Sequence, residues 1–318
     1  MRDQYKTGWL DRVVATLLRA LHSMVAHPAL LVGVILISIY GAIALIAPLA
    51  ARPVGNDPYV LPRYGLVGDP EPPSLEHPLG LMQDRYDMLY GMVWGTRVAF
   101  RVGLLITLGR ALIGITIGLI SGYYGGRIDA LMMRITDAFM AFPIVAGVLI
   151  MLTLFAGDQF GIQKGEGVDA IEIALIAFGW MQYARLVRGN VLVERSRDYV
   201  YAAVSTGARD RRILFRHILP NAAQGLFVML ASDVGAMVVT MAALTFIGLS
   251  GDKPLADWGM MLKYSRNWIV GAPTRAFEYW YTYVPPVVAI VLFSVGWGLI
   301  GDGLRETLDP RLRGVHLR

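Results

Sequence analysis

The 318-residue chain contains no cysteine. That single absence excludes disulfide frameworks, Cys-ligated zinc, iron–sulfur clusters and thiol nucleophiles. Charge is scarce as well. Asp, Glu, Lys and Arg make up 17% of the residues, where a soluble domain carries about a quarter. The five histidines (His22, His27, His77, His217 and His316) are scattered without metal-ligand spacing. No Gly-x-x-x-x-Gly-Lys-Ser/Thr run occurs, so the chain does not bind nucleotide by that route. Gly122, Gly125 and Gly126 sit at a membrane turn and read as tight turning rather than a phosphate cradle. No catalytic or metal-binding constellation is therefore assigned. What the chain has in abundance is apolar surface: 55% of residues are hydrophobic and the mean hydropathy is +0.51. Disorder is excluded by that content. Such a chain needs a bilayer as solvent.

Six stretches reach the roughly 20 apolar residues that cross about 30 Å of hydrocarbon. They are 29–50, 93–123, 135–155, 170–187, 222–249 and 284–304, with Pro143 expected to kink the third. The first is too long and starts too late for a cleaved signal sequence and reads as an uncleaved anchor. Ahead of it, Trp9, Leu10, Val13, Val14, Leu17, Leu18 and Leu21 recur at helical spacing between Arg12 and Arg19. That suits an interfacial helix, or a soluble helix packed on the protein.

Orientation follows from Lys and Arg. With the N-terminus inside, the cytoplasmic segments hold 18 basic residues and the outer segments 8. Both termini are therefore expected in the cytoplasm, and the net charge of +5 reads as topology rather than nucleic-acid binding. The chain divides into an interfacial helix and first anchor (1–60), an outer segment (61–92), a core (93–310) and a cytoplasmic tail (311–318). Trp258, Trp268, Tyr279, Trp280, Tyr281 and Tyr283 in the last outer region are expected to form an interfacial aromatic belt. No internal repeat is evident, which weakens an inverted-repeat carrier.

The cytoplasmic loop, 188–221 within the core, is far longer than a connection between two spans requires. Tyr199 to Ser205 suits a short helix in which Ala202 and Ala203 leave a low-relief face, and Gly207 suits a sharp turn at positive φ. Arg209, Arg211, Arg212 and Arg216 then alternate with Ile213, Leu214 and Phe215, and Pro220 fits the first turn of the next helix. This is a compact basic knob, held by anionic lipid or fitted to a groove on a cytoplasmic motor. Composition leaves both open.

Tyr201-Ala202-Ala203, then Gly207, then His217-Ile218-Leu219-Pro220-Asn221 resemble the coupling signature of bacterial ABC importer permeases. His77-Pro78-Leu79-Gly80, the run from Gly122 to Ala130, Ala141-Phe142-Pro143, Tyr183 to Gly189, Leu244 to Leu249, Asp257-Trp258-Gly259 and Gly301 to Arg305 agree with the dipeptide/oligopeptide/nickel branch. The likeness is to the second permease of its heterodimeric pair. Leu308-Asp309-Pro310-Arg311-Leu312-Arg313 extends the likeness, which covers most of 25–313.

The resemblance implies an all-α fold of six transmembrane helices in the type I importer architecture, in the bacterial inner membrane. It implies a homologous second permease, two cytoplasmic ATPases that carry the ATP and magnesium, and an extracytoplasmic solute-binding protein. The chain itself would bind no cofactor. The coupling residues would be Tyr201, Ala202, Ala203, Gly207, Arg212, His217, Leu219 and Pro220. Peptides are the leading cargo, beside nickel chelates, glutathione-like peptides and oligosaccharides. Two departures stand out. Tyr201 replaces the usual Glu, and after Gly80 the branch pattern Thr-Asp-x-x-Gly-Arg-Asp survives only in Asp87.

Arg110 and Asp233 fall near the middle of the second and fifth spans, where an unpaired charge costs several kcal/mol. They are expected to face one another or to share a water-filled solute path. A proton-coupled carrier would use Asp233 as its relay; a non-catalytic structural subunit and an intramembrane hydrolase are the remaining alternatives, the last disfavoured by the missing catalytic cluster.

Overall fold

Pro28 opens the first helix among the described residues, where its missing N–H costs nothing, and α1 runs Pro28–Ala50. The computed structural model describes residues 27–155, 167–251, 253–269 and 277–308. The expected interfacial helix before residue 27, the tail 311–318, most of the outer segment 156–169 and the motif residues Asp309 to Arg313 lie outside the described residues. Beyond α1 come α2 (Met88–Tyr124), α3 (Gly126–Met140), α4 (Ile144–Phe155), α5 (Gly167–Ala177) and α6 (Met181–Arg195). Then follow α7 (Asp198–Ser205), α8 (Asp210–Arg212), a π-helical turn (Ile213–Ile218) and α9 (Leu219–Ala222). The last three are α10 (Gln224–Phe246), α11 (Trp258–Ile269) and α12 (Trp280–Leu308). Among the described residues, β-structure is confined to isolated bridges.

Among the described residues five helices are long and apolar enough to cross a membrane, and the count reaches six where the bent pair Gly126–Met140 with Ile144–Leu154 is taken as one span. Leu45, Leu49, Leu112 and Leu154 point outward, as expected where lipid is the solvent. Two spans differ from expectation. The third is not kinked but turned through 89°, because Pro143 has no N–H to continue a helix and a proline disfavours helical backbone at the residue before it. The second begins five residues early, at Met88, because the Asp87 carboxylate accepts the Tyr90 N–H at 2.7 Å and caps it.

Small residues let the spans approach closely. A Cβ on Gly114, Gly118 or Gly122 would come within 2.4–2.8 Å of Tyr183, Ala184 O or Val191, so α2 lies flush along α6 at every fourth residue. At the outer end, Trp94, Trp258 and Phe293 are fully buried in one apolar cluster. The indole N–H of Trp94 donates to Ala51 O at 2.9 Å. The aromatic belt is thus corrected in part. Trp258 and Tyr281 are core residues, and Trp280 remains half exposed.

Residues 51–87, the segment expected on the outer side, fold back over one end of the spans. Bridges pair Val60 with Leu255, Arg63 with Tyr86 and Leu81 with both Glu71 and Asp87. Leu61, Leu81 and Met82 are buried beneath. His77 Nδ1 lies 2.8 Å from Asp87 Oδ2, so the acid that caps α2 also anchors the His77-Pro78-Leu79-Gly80 turn.

Candidate functional site

The knob (196–222) is assembled from its caps. α7 stops at Gly207, whose φ is +76°. Its N–H donates to Val204 O at 2.9 Å, and the Ala208 N–H donates to Ala203 O at 3.1 Å. This pair of bonds is the Schellman turn, which satisfies the last carbonyls and requires the left-handed residue. A Cβ at Gly207 would meet nothing within 4 Å, so backbone conformation alone favours glycine there.

After α8 the helix widens. Pro220 has no N–H to offer Arg216 O, and its ring would press on that carbonyl in a regular helix. The π-helical turn Ile213–Ile218 lets the Leu219 N–H reach back to Leu214 O instead. Ile213, Leu214 and Ile218 bury beside Val200, Val187 and Val191, which seats the knob against the inner end of α6. Tyr199 locks its two arms together: its hydroxyl donates to Glu194 Oε2 at 2.6 Å and accepts from Asn221 Nδ2 at 3.3 Å. Partial burial and the Glu194 carboxylate push the Tyr199 hydroxyl above its ordinary pKa.

Of the residues singled out by sequence, Tyr201 and Ala202 are exposed on α7 and Ala203 is half-buried beneath them. Arg212 and Pro220 are exposed, whereas His217 and Leu219 are half-buried. The His217 carbonyl accepts from Asn221 Nδ2 at 2.7 Å, so its backbone also braces the turn. Two clefts flank the knob. One, of about 660 Å³, is lined by Arg209, Arg211, Arg212, Arg216, Phe215 and Pro220. The other, of about 370 Å³, lies beside Tyr201 and includes Tyr123, Arg195 and Asp210. The Tyr123 hydroxyl donates to Asp210 Oδ1 at 2.9 Å, tying the inner end of α2 to the knob. Sequence reasoning missed this link, since the two residues are 87 apart.

The two charges expected near the midplane lie together. Arg110 Nη1 is 3.4 Å from Asp233 Oδ1, and Asp233 Oδ2 accepts from the Tyr183 hydroxyl at 3.0 Å and the Thr107 hydroxyl at 3.4 Å. Arg110 Nε donates to Leu175 O at 2.8 Å. That carbonyl sits where the fourth span breaks between α5 and α6, and the guanidinium lies against Gly179, where any Cβ would collide with it. Arg110 is only 5% exposed. The group acts as a brace across α2, α5 and α10, with Gly179 providing the clearance. Gly179 carried no signal in sequence, and Tyr183 stood out only as part of a motif and not as a partner of Asp233, because each matters here through the helix that packs on it. Nearer the inner face, Arg188 donates twice to the Asp129 carboxylate, at 2.6 and 2.7 Å, joining α6 to α3. Among the described residues no group of three or more His, Asp or Glu could hold a metal ion.

The profile of the family described as "Binding-protein-dependent transport system inner membrane component" matches residues 114–314. The glutathione transport system permease protein GsiD of Pectobacterium atrosepticum is 37% identical over 76% of this chain and 75% of its own length. The dipeptide transport system permease protein DppC of Alkalihalophilus pseudofirmus is 33% identical over 89% of this chain and 86% of its own. The oligopeptide transport system permease protein OppC of Bacillus subtilis is likewise 33% identical, over 89% and 86%.

Proposed function

The chain belongs to the family of binding-protein-dependent transport system inner membrane components, and we propose that it is the permease subunit of an ATP-driven peptide importer. It is a multi-pass protein of the bacterial inner membrane and is not itself an enzyme. The cargo reading rests on what the relatives' names share. Dipeptide, oligopeptide and glutathione systems all move short peptides.

The observation that carries the ATP-driven reading is the knob. It projects Tyr201 and Ala202 on a short helix, ends that helix in a Schellman turn at Gly207, and returns directly into α9 and the spanning helix α10. A cytoplasmic ATPase that grips the knob pulls on α10, and through Tyr123 on α2. ATP and magnesium then belong to two motor subunits, and a homologous second permease completes the path. Both termini lie on the motor side, in agreement with the basic residues. For Arg110 and Asp233 we favour the brace over a solute-lining role, because the guanidinium is enclosed within the subunit.

Vesicles containing the complete complex, with a labelled tripeptide outside and ATP supplied on the motor side, test this reading. Uptake should require ATP and the solute-binding protein. Uptake driven by a proton gradient without ATP would establish the carrier alternative instead.

A further inference from the structure

On the outer face, Tyr64 to Gly68 form a finger whose tip stands in solvent. Leu66 is 86% and Val67 68% exposed. Leu75 is fully exposed on the neighbouring turn, whose His77 ring lies 4.8 Å from the Tyr64 ring. Adjacent large aliphatic residues at the tip of an outer loop are unfavourable in water, and the six-span fold does not need them there.

The finger is held at both ends. The Tyr64 N–H donates to Arg85 O and the Asp84 N–H to Gly68 O, each at 3.0 Å. The Arg85 side chain lies along Gly65 and Gly68, and its Nη2 is 2.7 Å from Glu71 Oε1. Asp84 and Arg85 both have positive φ, 61° and 59°, a region that residues with side chains avoid. In the branch pattern that follows Gly80, the glycine falls on position 85. This chain has a left-handed backbone there and places a guanidinium on it, and that guanidinium clamps the finger. Strain retained together with a clamp points to function.

We infer that the Tyr64–Gly68 finger, clamped by Arg85, is a docking contact for the extracytoplasmic solute-binding protein, whose surface receives Leu66 and Val67 in an apolar depression. The inference rests on the proposed importer reading and its orientation. A family that depends on a binding protein requires a soluble partner to dock reversibly on this face, and a pre-ordered apolar tip lowers the entropy lost on docking. The outer segment 51–87 carries six acids against three basic residues, which disfavours anionic lipid as the occupant. The clamp also lies where the chain departs from its branch, as a partner-specific contact would.

The test uses the complete complex in nanodiscs, titrated with the solute-binding protein that stimulates the wild-type ATPase. The double variant Leu66→Asp with Val67→Asp should raise the half-maximal concentration at least about tenfold, the scale of a buried apolar anchor. Subunit composition and basal ATP hydrolysis should not change. Arg85→Gly relaxes the backbone and frees the finger, and should raise that concentration about threefold through lost pre-organisation, without lowering thermal stability. An unchanged half-maximal concentration in the double variant overturns the inference. Loss of the second permease from the double-variant complex also overturns it, since the finger is then a contact between permeases. If no solute-binding protein stimulates the wild-type complex, the importer reading falls and this assignment falls with it.

Discussion

The cap (51–87) and the knob (196–222) are of comparable length and stand at opposite ends of the same bundle, yet they are built on opposite plans. The cap is stitched by contacts far apart in sequence: Lys253 to Asp57 at 3.2 Å, Leu61 N–H to Pro254 O at 2.8 Å, and Trp94 to Ala51 O. The knob is made of short helices closed by local caps, and only one face of it is buried. The cap is acidic and the knob basic, with five arginines against two aspartates. The contrast has a mechanical meaning. A cap held by long-range contacts moves with the bundle as a body, whereas a knob with a left-handed turn at its centre keeps its own shape and transmits force through its few attachments.

Breaking the knob should therefore cost coupling, while breaking the contacts that hold the cap to the bundle should cost stability. Gly207→Val has the largest expected effect. A β-branched residue at φ +76° loses on the order of 2 kcal/mol, enough to unseat the Schellman turn. Peptide uptake per ATP hydrolysed should fall at least about tenfold, and full uptake by the variant complex would refute the coupling role.

Asp87→Ala sharpens the other side of the comparison. It removes the α2 cap and the partner of His77 together, so about 1–2 kcal/mol of stability should be lost. A lowered melting temperature of the detergent-solubilised protein, with the uptake-to-ATP ratio intact in the fraction that folds, is the expected result. Tyr201→Ala should weaken retention of the ATPase on affinity purification severalfold, and Tyr201→Phe should preserve it if ring burial carries the contact. Equal loss in the two would assign the contact to the hydroxyl.

Tyr123→Phe removes only the exposed bond to Asp210, worth about 1 kcal/mol. It should lower the uptake-to-ATP ratio severalfold while melting stays within a degree or two. An unaltered ratio would confine transmission to α10. The smallest effect belongs to Asp57, whose pKa is lowered by the Tyr59 N–H and by Lys253. A depressed carboxylate stabilises above its ordinary value and loses that contribution as pH falls below it. Because the pair is exposed, a few tenths of a kcal/mol are at stake. Asp57→Asn should flatten the acid limb of a melting profile below about pH 4 by that small amount.

Much of this organisation is legible in the chain. The spans follow from apolar length, since 1.5 Å per residue and the thickness of hydrocarbon leave little choice. Gly207 was legible because a glycine between two amphipathic pieces has few other uses. Arg110 and Asp233 stood out by their cost at that depth. Their partners did not, because a tyrosine, a threonine and a glycine in an apolar run look like any others until α6 is laid against α2. The 89° corner at Pro143 was underestimated because proline announces a break and not its angle. Trp258 was misread because an aromatic beside an outer loop looks the same whether it meets headgroups or folds into the core.

Sequence by itself determined the medium, the apolar stretches and the place of the knob in the chain, since each depends on local composition and local caps. The tertiary structure decided what faces what: which carbonyl Arg110 reaches, which end of the bundle Tyr123 ties down, and how Arg85 holds a finger nearly twenty residues upstream. Those are contacts between helices and loops distant in the chain, and their energies exist only once the backbone has brought the groups within bonding distance.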